Sequence, residues 1–518
     1  MMVGLSLGRA FRQIGSLTAF SRVLGFVRDI VFATFLGAGA AADAFLVALK
    51  LPNMFRRLSA EGAMTNAFLP NYAAIREAFG QAAALKLAAE AQIFLILGLS
   101  VLVIIAEIFM ADLILLLAPG FKNTPARLAA AVDLARVTMP YLPLISIVAL
   151  WAAIANAHDH FKAGAAAPII ANICFIAGAV MIPFVASHLD ALRAIPIAIA
   201  LLVAGFAQLI FLYRVLSRFH AIPTVIWPRL SDAGRKMWRN FVPAAAGAGG
   251  MQLNLLIDLI LASLLPVGAI SWLYYADRIA QLPLGVIGIA LGTALLPKLS
   301  ASEAAGQPAE VRNSLSEAIG FAGFFVIPAV TGLVLCSLPI INGLFVYGAF
   351  TFSDAKMAAL ALVAYGCGLP GFVMVKILQT AFYATDQPAM VLKVSLITVA
   401  INVAGSLSLM PILGHVGLAL ATSVSGTMAA AIMLYLLVRQ RRLSASFLPA
   451  CGKTILASSV MGVAIIFLQF GLERFVMLPA AISLTFIVAG GGAVYAVTAC
   501  VMGAVPAGLL HQSNDRNT

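Results

Sequence analysis

Residues 21–61 read SRVLGFVRDIVFATFLGAGAAADAFLVALKLPNMFRRLSAE, two apolar helical segments with an unusual load of charge. The turn Leu36-Gly37-Ala38-Gly39 separates the two segments. Their charged residues are Arg22, Arg28, Asp29, Asp43, Lys50, Arg56, Arg57 and Glu61. A charge near the middle of a bilayer costs a few kcal/mol or more, so such side chains persist only where they face protein, water or a charged ligand. We therefore expect this stretch to form part of a site for a charged ligand.

The composition identifies a membrane protein. Of the 518 residues, 62% are hydrophobic and 10% are charged, whereas about 25% of the residues of a soluble domain are charged. Apolar runs of roughly 20 residues recur along the chain, and each is long enough to cross the hydrocarbon layer as a helix. The sequence thus predicts an all-α polytopic membrane protein with about 14 transmembrane helices.

The basic charge balance fits a membrane topology better than nucleic-acid binding. The net charge is +12, and most Lys and Arg residues fall in alternate loops, which is the pattern of cytoplasmic loops. Both termini are therefore expected on the cytoplasmic side. The five cysteines are scattered through apolar segments, so neither a metal site nor a disulfide framework is predicted.

The chain repeats itself at a constant interval. Three pairs of landmarks each lie 227 residues apart: Pro70 and Pro297, Pro143 and Pro370, and Asp159 and Asp386. This spacing predicts two homologous six-helix lobes related by a pseudo-twofold axis along the membrane normal, with two further helices at the C-terminal end.

The predicted domains follow from this repeat. They are an N-lobe with helices 1–6 at residues 1–220, an inter-lobe loop at 221–240, a C-lobe with helices 7–12 at 241–442, and helices 13–14 with a polar tail at 443–518. Within the basic loop, WPRLSDAGRKMWRNF (227–241) is either a short amphipathic helix or an ordinary connection. The glycines at 490–492 predict close packing of the last two helices or one wall of an apolar lipid groove.

The second half adds Asp258, Asp277 and Arg278 to the charges in helices, and the repeat places Arg278 where Leu51 stands in the first half. Cations from both halves would then line one central cavity. They outnumber the acidic residues, and arginine binds phosphate oxygens through a planar fork. A polyvalent lipid-linked phosphate or diphosphate would balance this surplus of positive charge. The alternative is that these charges form structural ion pairs or reach out to the interface.

Lys50 and Lys376 are further candidates for the cavity, although Lys376 could instead anchor its helix. Two catalytic signatures are missing: the chain contains no GxxxxGK[ST] and no HExxH motif. His158 and His160 are expected in a turn, since no third metal ligand is in view. The sequence thus indicates a transporter and not an enzyme, driven by an ion gradient, the membrane potential or the gradient of its substrate.

Several motifs resemble one family. FSRVLGFVRD, GAGAAADAF, KLPNMFRRLSAEGA, SWLYYADR, LGTALLPKLS and VYGAF are similar to stretches of the MurJ (MviN) family, the lipid II flippases of the multidrug/oligosaccharidyl-lipid/polysaccharide (MOP) exporter superfamily. The resemblance implies alternating access in the bacterial inner membrane and transport of the undecaprenyl-diphosphate-linked peptidoglycan precursor to the periplasmic leaflet. It implies roles in cell wall biogenesis and cell shape, lipid II and membrane lipids as partners, and a protein that acts as a monomer without a bound cofactor.

The resemblance also assigns site residues. Those expected to bind substrate are Arg22, Arg28, Arg56, Arg278, Asn53, Ser21 and Ser271, and those expected to orient the arginines or to gate the cavity are Asp29, Asp43, Glu61 and Asp277. Two positions depart from the family. Gln281 stands where some members have an acid, and the sodium site of some members corresponds here to Asp258, Thr398 and Asn402, with one carboxylate among them. Either sodium or the membrane potential would then couple transport.

Other functions stay open at this point. Within transport, they are a flippase for another polyprenyl-linked glycan and a cation-coupled multidrug exporter of the same superfamily, although a drug exporter should have an acidic cavity. From other classes, they are a membrane scaffold and a lipid-modifying enzyme.

Overall fold

The computed structural model describes residues 2–56, 67–185, 192–239, 241, 253–475 and 478–506, and these residues contain helices and no strand. The helices of the first half are α1 Met2–Leu36, α2 Ala40–Arg56, α3 Leu69–Ile108, α4 Met110–Leu117, α5 Pro125–Thr138, α6 Tyr141–Ala157, α7 Phe161–Val180, α8 Ile182–Val185, α9 Ile195–Ser217, α10 at 232–239 and α11 Leu253–Ser263. A 3₁₀ turn, Pro119–Asn123, joins α4 to α5.

The helices of the second half are α12 Ala269–Pro283, α13 Ile289–Ala304, α14 Pro308–Leu335, α15 Ser337–Phe345, α16 Phe352–Ala384, α17 Pro388–Leu413, α18 His415–Arg439, α19 Leu448–Phe475 and α20 Ala480–Val501. A π-helical turn, Leu284–Gly288, joins α12 to α13, and a 3₁₀ turn, Ala445–Phe447, precedes α19. Proline in the first turn marks the starts of α3, α5, α9, α14 and α17, where its missing N–H would have no helical partner.

The predicted all-α polytopic class is confirmed. Among the described residues, 11 helical spans are long and apolar enough to cross a membrane. The predicted total of about 14 stays a prediction, since residues 57–66, 186–191 and 242–252 lie outside the described part. The chain divides into two compact units, the first containing Met1–Ser271 with Gly348–Phe350 and the second Trp272–Tyr347 with Thr351–Thr518. The predicted domain limits likewise stay predictions.

The turn between α1 and α2 is confirmed, and its glycine has a structural reason. Gly37 has a φ of +73°, and a Cβ atom there would lie 2.7 Å from the carbonyl oxygen of Ala349. The Ala349 N–H donates to the carbonyl of Thr34 at 2.7 Å. The VYGAF motif thus supplies residues 348–350 to the first unit, where they pack on this turn.

The same backbone turn occurs at two positions 227 residues apart. Asp159 and Asp386 both have positive φ, at 61° and 54°. In each turn the following residue donates its N–H to the carbonyl five positions earlier, His160 to Ala155 at 2.9 Å and Gln387 to Phe382 at 2.8 Å. This shared geometry supports the internal repeat found in the sequence.

The segment 227–241 contains an amphipathic helix, α10, which packs on α3. Met237 is fully buried and Trp238 contacts Phe94 edge to face, with 6.4 Å between ring centroids. At the start of α10, the buried carboxylate of Glu90 accepts hydrogen bonds from the N–H of Ser231 at 3.1 Å and from its hydroxyl at 2.7 Å. The helical interpretation of this loop is confirmed, and a carboxylate at a helix N-terminus is a favourable arrangement.

The last two helices pack closely, as their glycines predicted. A Cβ atom at Gly490 would lie 2.8 Å from Leu468, and one at Gly491 would lie 2.9 Å from Ile465, so α19 and α20 approach at these glycines. A lipid groove along this pair stays a prediction.

Candidate functional site

Arg28, on α1, is held by an acid, an amide and two aromatic rings. Its Nε and Nη2 atoms donate to Oδ1 of Asp29 at 3.0 and 2.7 Å, and its Nη1 donates to Oδ1 of Asn172 at 3.0 Å. The guanidinium also lies 5.6 Å from the ring centres of Phe32 and Phe175. Because its partners come from both α1 and α7, the orientation of the fork is fixed before any ligand binds.

The two members of this pair differ in exposure. The Asp29 side chain is 2% exposed, whereas that of Arg28 is 18% exposed. The arginine is thus the member that a ligand can reach. Asn172 was missed in the sequence, although an isolated amide within the apolar run PIIANICFIAG was a usable signal. Its amide nitrogen also donates to the carbonyl of Ser21 at 3.2 Å, which ties α7 to the predicted site residue on α1.

Asp43 accepts four hydrogen bonds within the first unit. It is completely buried on α2. One oxygen accepts from Nη2 of Arg127 at 2.5 Å and from the N–H of Gly268 at 2.7 Å. The other accepts from the N–H of Ser271 at 2.9 Å and from its hydroxyl at 2.7 Å. The carboxylate therefore caps the N-terminal end of α12 from another helix, where the helix dipole favours negative charge.

We call this group the Asp43 cluster: Asp43, Arg127, Gly268 and Ser271. The structure brings together Asp43 and Ser271, to which the family resemblance had assigned gating and substrate binding. In this structure the Ser271 hydroxyl is buried and donates to Asp43.

Arg127 is a second site residue that sequence reasoning missed. Its position after a loop that contains Lys122 and Pro125 made it look like an ordinary loop cation. In the structure it is buried on α5, with its guanidinium 4.0 Å from the centre of the Phe121 ring. The sequence did contain a signal that Arg127 is buried, because its spacing places it on the same helical stripe as a set of buried residues. These are Ala130, Ala131, Leu134, Ala135 and Thr138.

The remaining predicted site residues of α1 and α2 differ in how exposed their side chains are. Arg22 is exposed, and Ser21, Lys50, Asn53 and Arg56 are half-buried. Arg57 and Glu61 fall outside the described residues.

In the second unit, Asp277 and Arg278 are half-buried neighbours on α12. Nη2 of Arg278 donates to the hydroxyl of Tyr274 at 3.3 Å, and its guanidinium lies 4.9 Å from the centre of that ring. The amide of Gln281 donates to Oδ2 of Asp277. At the position where some family members have an acid, this chain therefore has a hydrogen-bond donor to Asp277.

Lys376, on α16, is exposed and packs beside the π-helical turn. A Cβ atom at Gly288 would lie 3.7 Å from both Cβ and Cγ of Lys376. The lysine stem therefore lies at ordinary van der Waals distance from this turn. Single π-helical turns are frequent at functional sites.

The residues of the predicted sodium site are divided between the units. Asp258, on α11, accepts from the amide of Asn254 at 3.5 Å. On α17, Thr398 donates to the carbonyl of Val394 at 2.8 Å, and Asn402 is fully buried. Among the described residues, no group of three His, Cys, Asp or Glu side chains could hold a metal ion.

His158 and His160 form a turn, as predicted. Nε2 of His158 lies 3.2 Å from the hydroxyl of Tyr72, and Nδ1 of His160 lies 2.7 Å from the carbonyl of His158. Burial lowers the pKa of His158, and the charges of Arg76 and His160 lower it further while that of Asp159 opposes them.

The protein has many helices that are long enough to span a membrane, and arginine–aspartate contacts form within and between these helices. These features indicate the class of multi-pass membrane transporters. Comparison with known proteins narrows this class. The model of the family "Lipid II flippase MurJ" matches residues 32–485. This chain belongs to the lipid II flippase MurJ family, and it is accordingly a transporter of the inner membrane and not an enzyme.

Relatives and solved structures agree with this assignment. The probable lipid II flippase MurJ of Rhizobium tropici is 34% identical over 521 residues, which cover 99% of this chain and 97% of the relative. The lipid II flippase MurJ of Burkholderia cenocepacia is 32% identical over 441 residues, which cover 84% of each chain.

The solved structures show the shared fold. A lipid II flippase MurJ in an inward closed conformation has a TM-score of 0.76 at 24% identity, covering 94% of this chain and 98% of that one. An inward-facing multidrug resistance MATE family transporter of the MOP superfamily has a TM-score of 0.66 at 16% identity, covering 81% and 94%. The predicted family is thus confirmed, and the solved structures show the same fold.

Proposed function

We propose that this protein moves lipid II, the undecaprenyl-diphosphate-linked peptidoglycan precursor, from the cytoplasmic to the periplasmic leaflet by alternating access. It acts as a monomer, with both termini in the cytoplasm. Family membership supports the substrate. The observation that carries the site is the oriented, partly exposed fork of Arg28 beside the buried Asp29.

The contacts of Arg28 suit a diphosphate. Its Nε and Nη2 atoms donate to a single oxygen of Asp29, and phosphate oxygens accept from the same kind of fork in a bidentate manner. Substrate oxygens would therefore compete with Asp29 for these donors. Asn172 and the two flanking rings would keep the guanidinium in place during the exchange.

The other predicted residues take supporting roles in this proposal. In the first unit, Arg56 binds the diphosphate together with Arg28, and Arg22 attracts it from the surface. In the second unit, Arg278 keeps its assigned role in substrate binding. Asn53 adds a polar contact to the head group. Lys50, Lys376, Asp277 and Glu61 keep their assigned roles beside the arginines.

The Asp43 cluster acts as the gate in this mechanism. With Asp43 and Arg127 both buried and bonded, the start of α2 stays attached to the start of α12. Opening requires water to replace four hydrogen bonds on one carboxylate. Ser271 belongs to this gate when it is closed and becomes available to substrate when it opens.

We propose the membrane potential as the driving force. A cationic site that changes sides would respond to the potential with about 2.3 kcal/mol per charge per 100 mV. The sodium alternative rests on Asp258, Thr398 and Asn402, of which only Asp258 has a carboxylate. Flipping in vesicles that persists when potassium replaces sodium, and that changes with an imposed potential, supports our choice; loss of flipping without sodium contradicts it.

The test of the site uses a bacterial strain depleted of its own lipid II flippase. Arg28→Ala, Arg56→Ala and Arg278→Ala should each fail to restore growth while the protein still reaches the membrane. Exposure of the precursor on the periplasmic face, measured with a membrane-impermeant probe, should fall at least tenfold.

Arg214→Ala is the matched control, since Arg214 is an exposed cation near the end of α9. It should restore growth fully. Full flipping by all three arginine variants would refute the site, and flipping of a different lipid by the wild-type protein would refute the substrate.

A further inference from the structure

A cavity of about 410 Å³ lies in the first unit, and none of the arginines of the proposed flipping site lines it. It is bounded by the turn between α6 and α7, by the first residues of α7 and by the last residues of α9. Leu17 of α1 also reaches it. By the predicted topology this end of the helices is cytoplasmic, so the cavity would open at the level of the inner-leaflet head groups.

One side of the cavity is apolar. Phe161, Phe211, Val215 and Phe219 line it. The ring of His160 packs on that of Phe219, with 4.0 Å between centroids. Such a wall fits hydrocarbon, and a small hydrated anion would gain nothing from it.

The rim of the cavity carries charge. Lys162 and Arg218 line it as exposed cations, and Asp159 is the carboxylate that opposes them. Phe161, Lys162 and Ala163 are also the first three residues of α7, a helix of 20 residues whose N-cap, His160, provides no side-chain hydrogen bond. A helix start of this kind adds positive potential to that of the two cations.

We propose that this cavity binds an anionic glycerophospholipid of the cytoplasmic leaflet, with its phosphodiester between Lys162 and Arg218 and the start of one acyl chain along the phenylalanines. Basic pockets between helices on the cytoplasmic side take lipid head groups in this way. The inference goes beyond lipid II transport and does not depend on the arginines of the proposed flipping site.

The first experiment measures retention of phosphatidylglycerol by the purified protein, using native mass spectrometry over a range of lipid concentrations. Lys162→Gln combined with Arg218→Gln should weaken the tightest bound lipid roughly 25-fold, since each cation near an anionic lipid contributes about a factor of five. The matched control is Lys86→Gln combined with Arg214→Gln, which removes the same charge from exposed positions outside the cavity. Unchanged retention in the first variant, or an equal loss in the control, would overturn the proposal.

A second pair of variants tests for the opposite effect, an increase in lipid retention. Asp159→Asn removes the opposing charge at a position of positive φ, where asparagine is well tolerated, so retention should rise about fivefold. Asp386→Asn makes the same change in the equivalent turn of the second unit and should have no effect. An equal rise in both variants would show general electrostatic attraction and would refute a site at the cavity.

Two further measurements identify the ligand. Ala166→Trp fills the cavity without changing charge, and it should abolish the tightest binding. Inorganic phosphate at the same concentration should not displace phosphatidylglycerol. Displacement by phosphate, or full binding by the filled variant, would contradict a phospholipid whose chain lies on the aromatic wall.

Discussion

Removing the charge of Arg127 should destabilise the first unit more than any surface change. The Asp43 carboxylate is fully buried, the Arg127 side chain is 3% exposed, and their atoms lie 2.5 Å apart. Arg127→Met keeps much of the side-chain volume but leaves a buried carboxylate without its cation. Breaking a buried pair by removing one partner costs about 3–5 kcal/mol. For a unit of this size, roughly 2 °C per kcal/mol gives a fall in the unfolding midpoint of about 6–10 °C.

The assay is thermal unfolding of the purified protein in detergent. Arg136→Met is the matched control: it lies on the same helix, is 52% exposed, and is 4.0 Å from Glu107. An exposed pair of this kind contributes about 0–1 kcal/mol, so its midpoint should stay within about 2 °C of the wild type.

A double variant separates charge from packing. Asp43→Asn added to Arg127→Met removes both charges, so the loss should be clearly smaller than the sum of the single losses, with a coupling of about 2 kcal/mol or more. Arg127→Met unfolding within 2 °C of the wild type, or additive losses in the double variant, would refute a buried pair that holds α2 to α5.

Three further predictions concern other contacts of the first unit. Glu90→Gln should weaken the hydrogen bonds to the start of α10 by about 1–2 kcal/mol. Trypsin should then cut within 232–239 several times faster. An unchanged rate of cleavage would contradict the packing of α10 on α3. Because burial lowers the pKa of His158, and Arg76 lowers it further, the unfolded chain binds that proton more readily and stability should fall as pH drops below about 6.5. His158→Asn should reduce the pH dependence of the unfolding midpoint between pH 7.5 and 5.5; an identical dependence would count against it. Gly37→Ala should lower the midpoint by several degrees, because its Cβ would meet a carbonyl at 2.7 Å, whereas Gly39→Ala, with nothing within 4 Å, should not.

The sequence predicted the elements but not all of their partners. Hydropathy alone sufficed for the helical membrane class, and the cost of burying charge singled out Arg28, Asp29 and Asp43. Their partners Asn172 and Arg127 lie 144 and 84 residues away along the chain. Such distances carry no local signal, because pairing depends on which helices pack together.

The role of Ser271 could not be predicted fully from the sequence, for a different reason. Motif resemblance placed this serine among substrate-binding residues, but a motif does not specify which conformation a residue adopts. In this structure its hydroxyl and its N–H both donate to Asp43. The same residue can belong to a closed gate in one state and to a binding surface in another.

The two arginine–aspartate pairs of the first unit also predict which ligands can bind. Both aspartates are buried, so neither acid can leave its arginine cheaply, but only Arg28 has an exposed side, at 18% against 3% for Arg127. A ligand at Arg28 must therefore compete with a carboxylate that is already in place at 2.7 Å. At about 4 Å and an effective dielectric of about 20, each unit of charge contributes roughly 4 kcal/mol. A monoanion would only match Asp29, whereas a diphosphate brings more than one charge, so we expect a site at Arg28 to bind polyvalent head groups in preference to singly charged phospholipids.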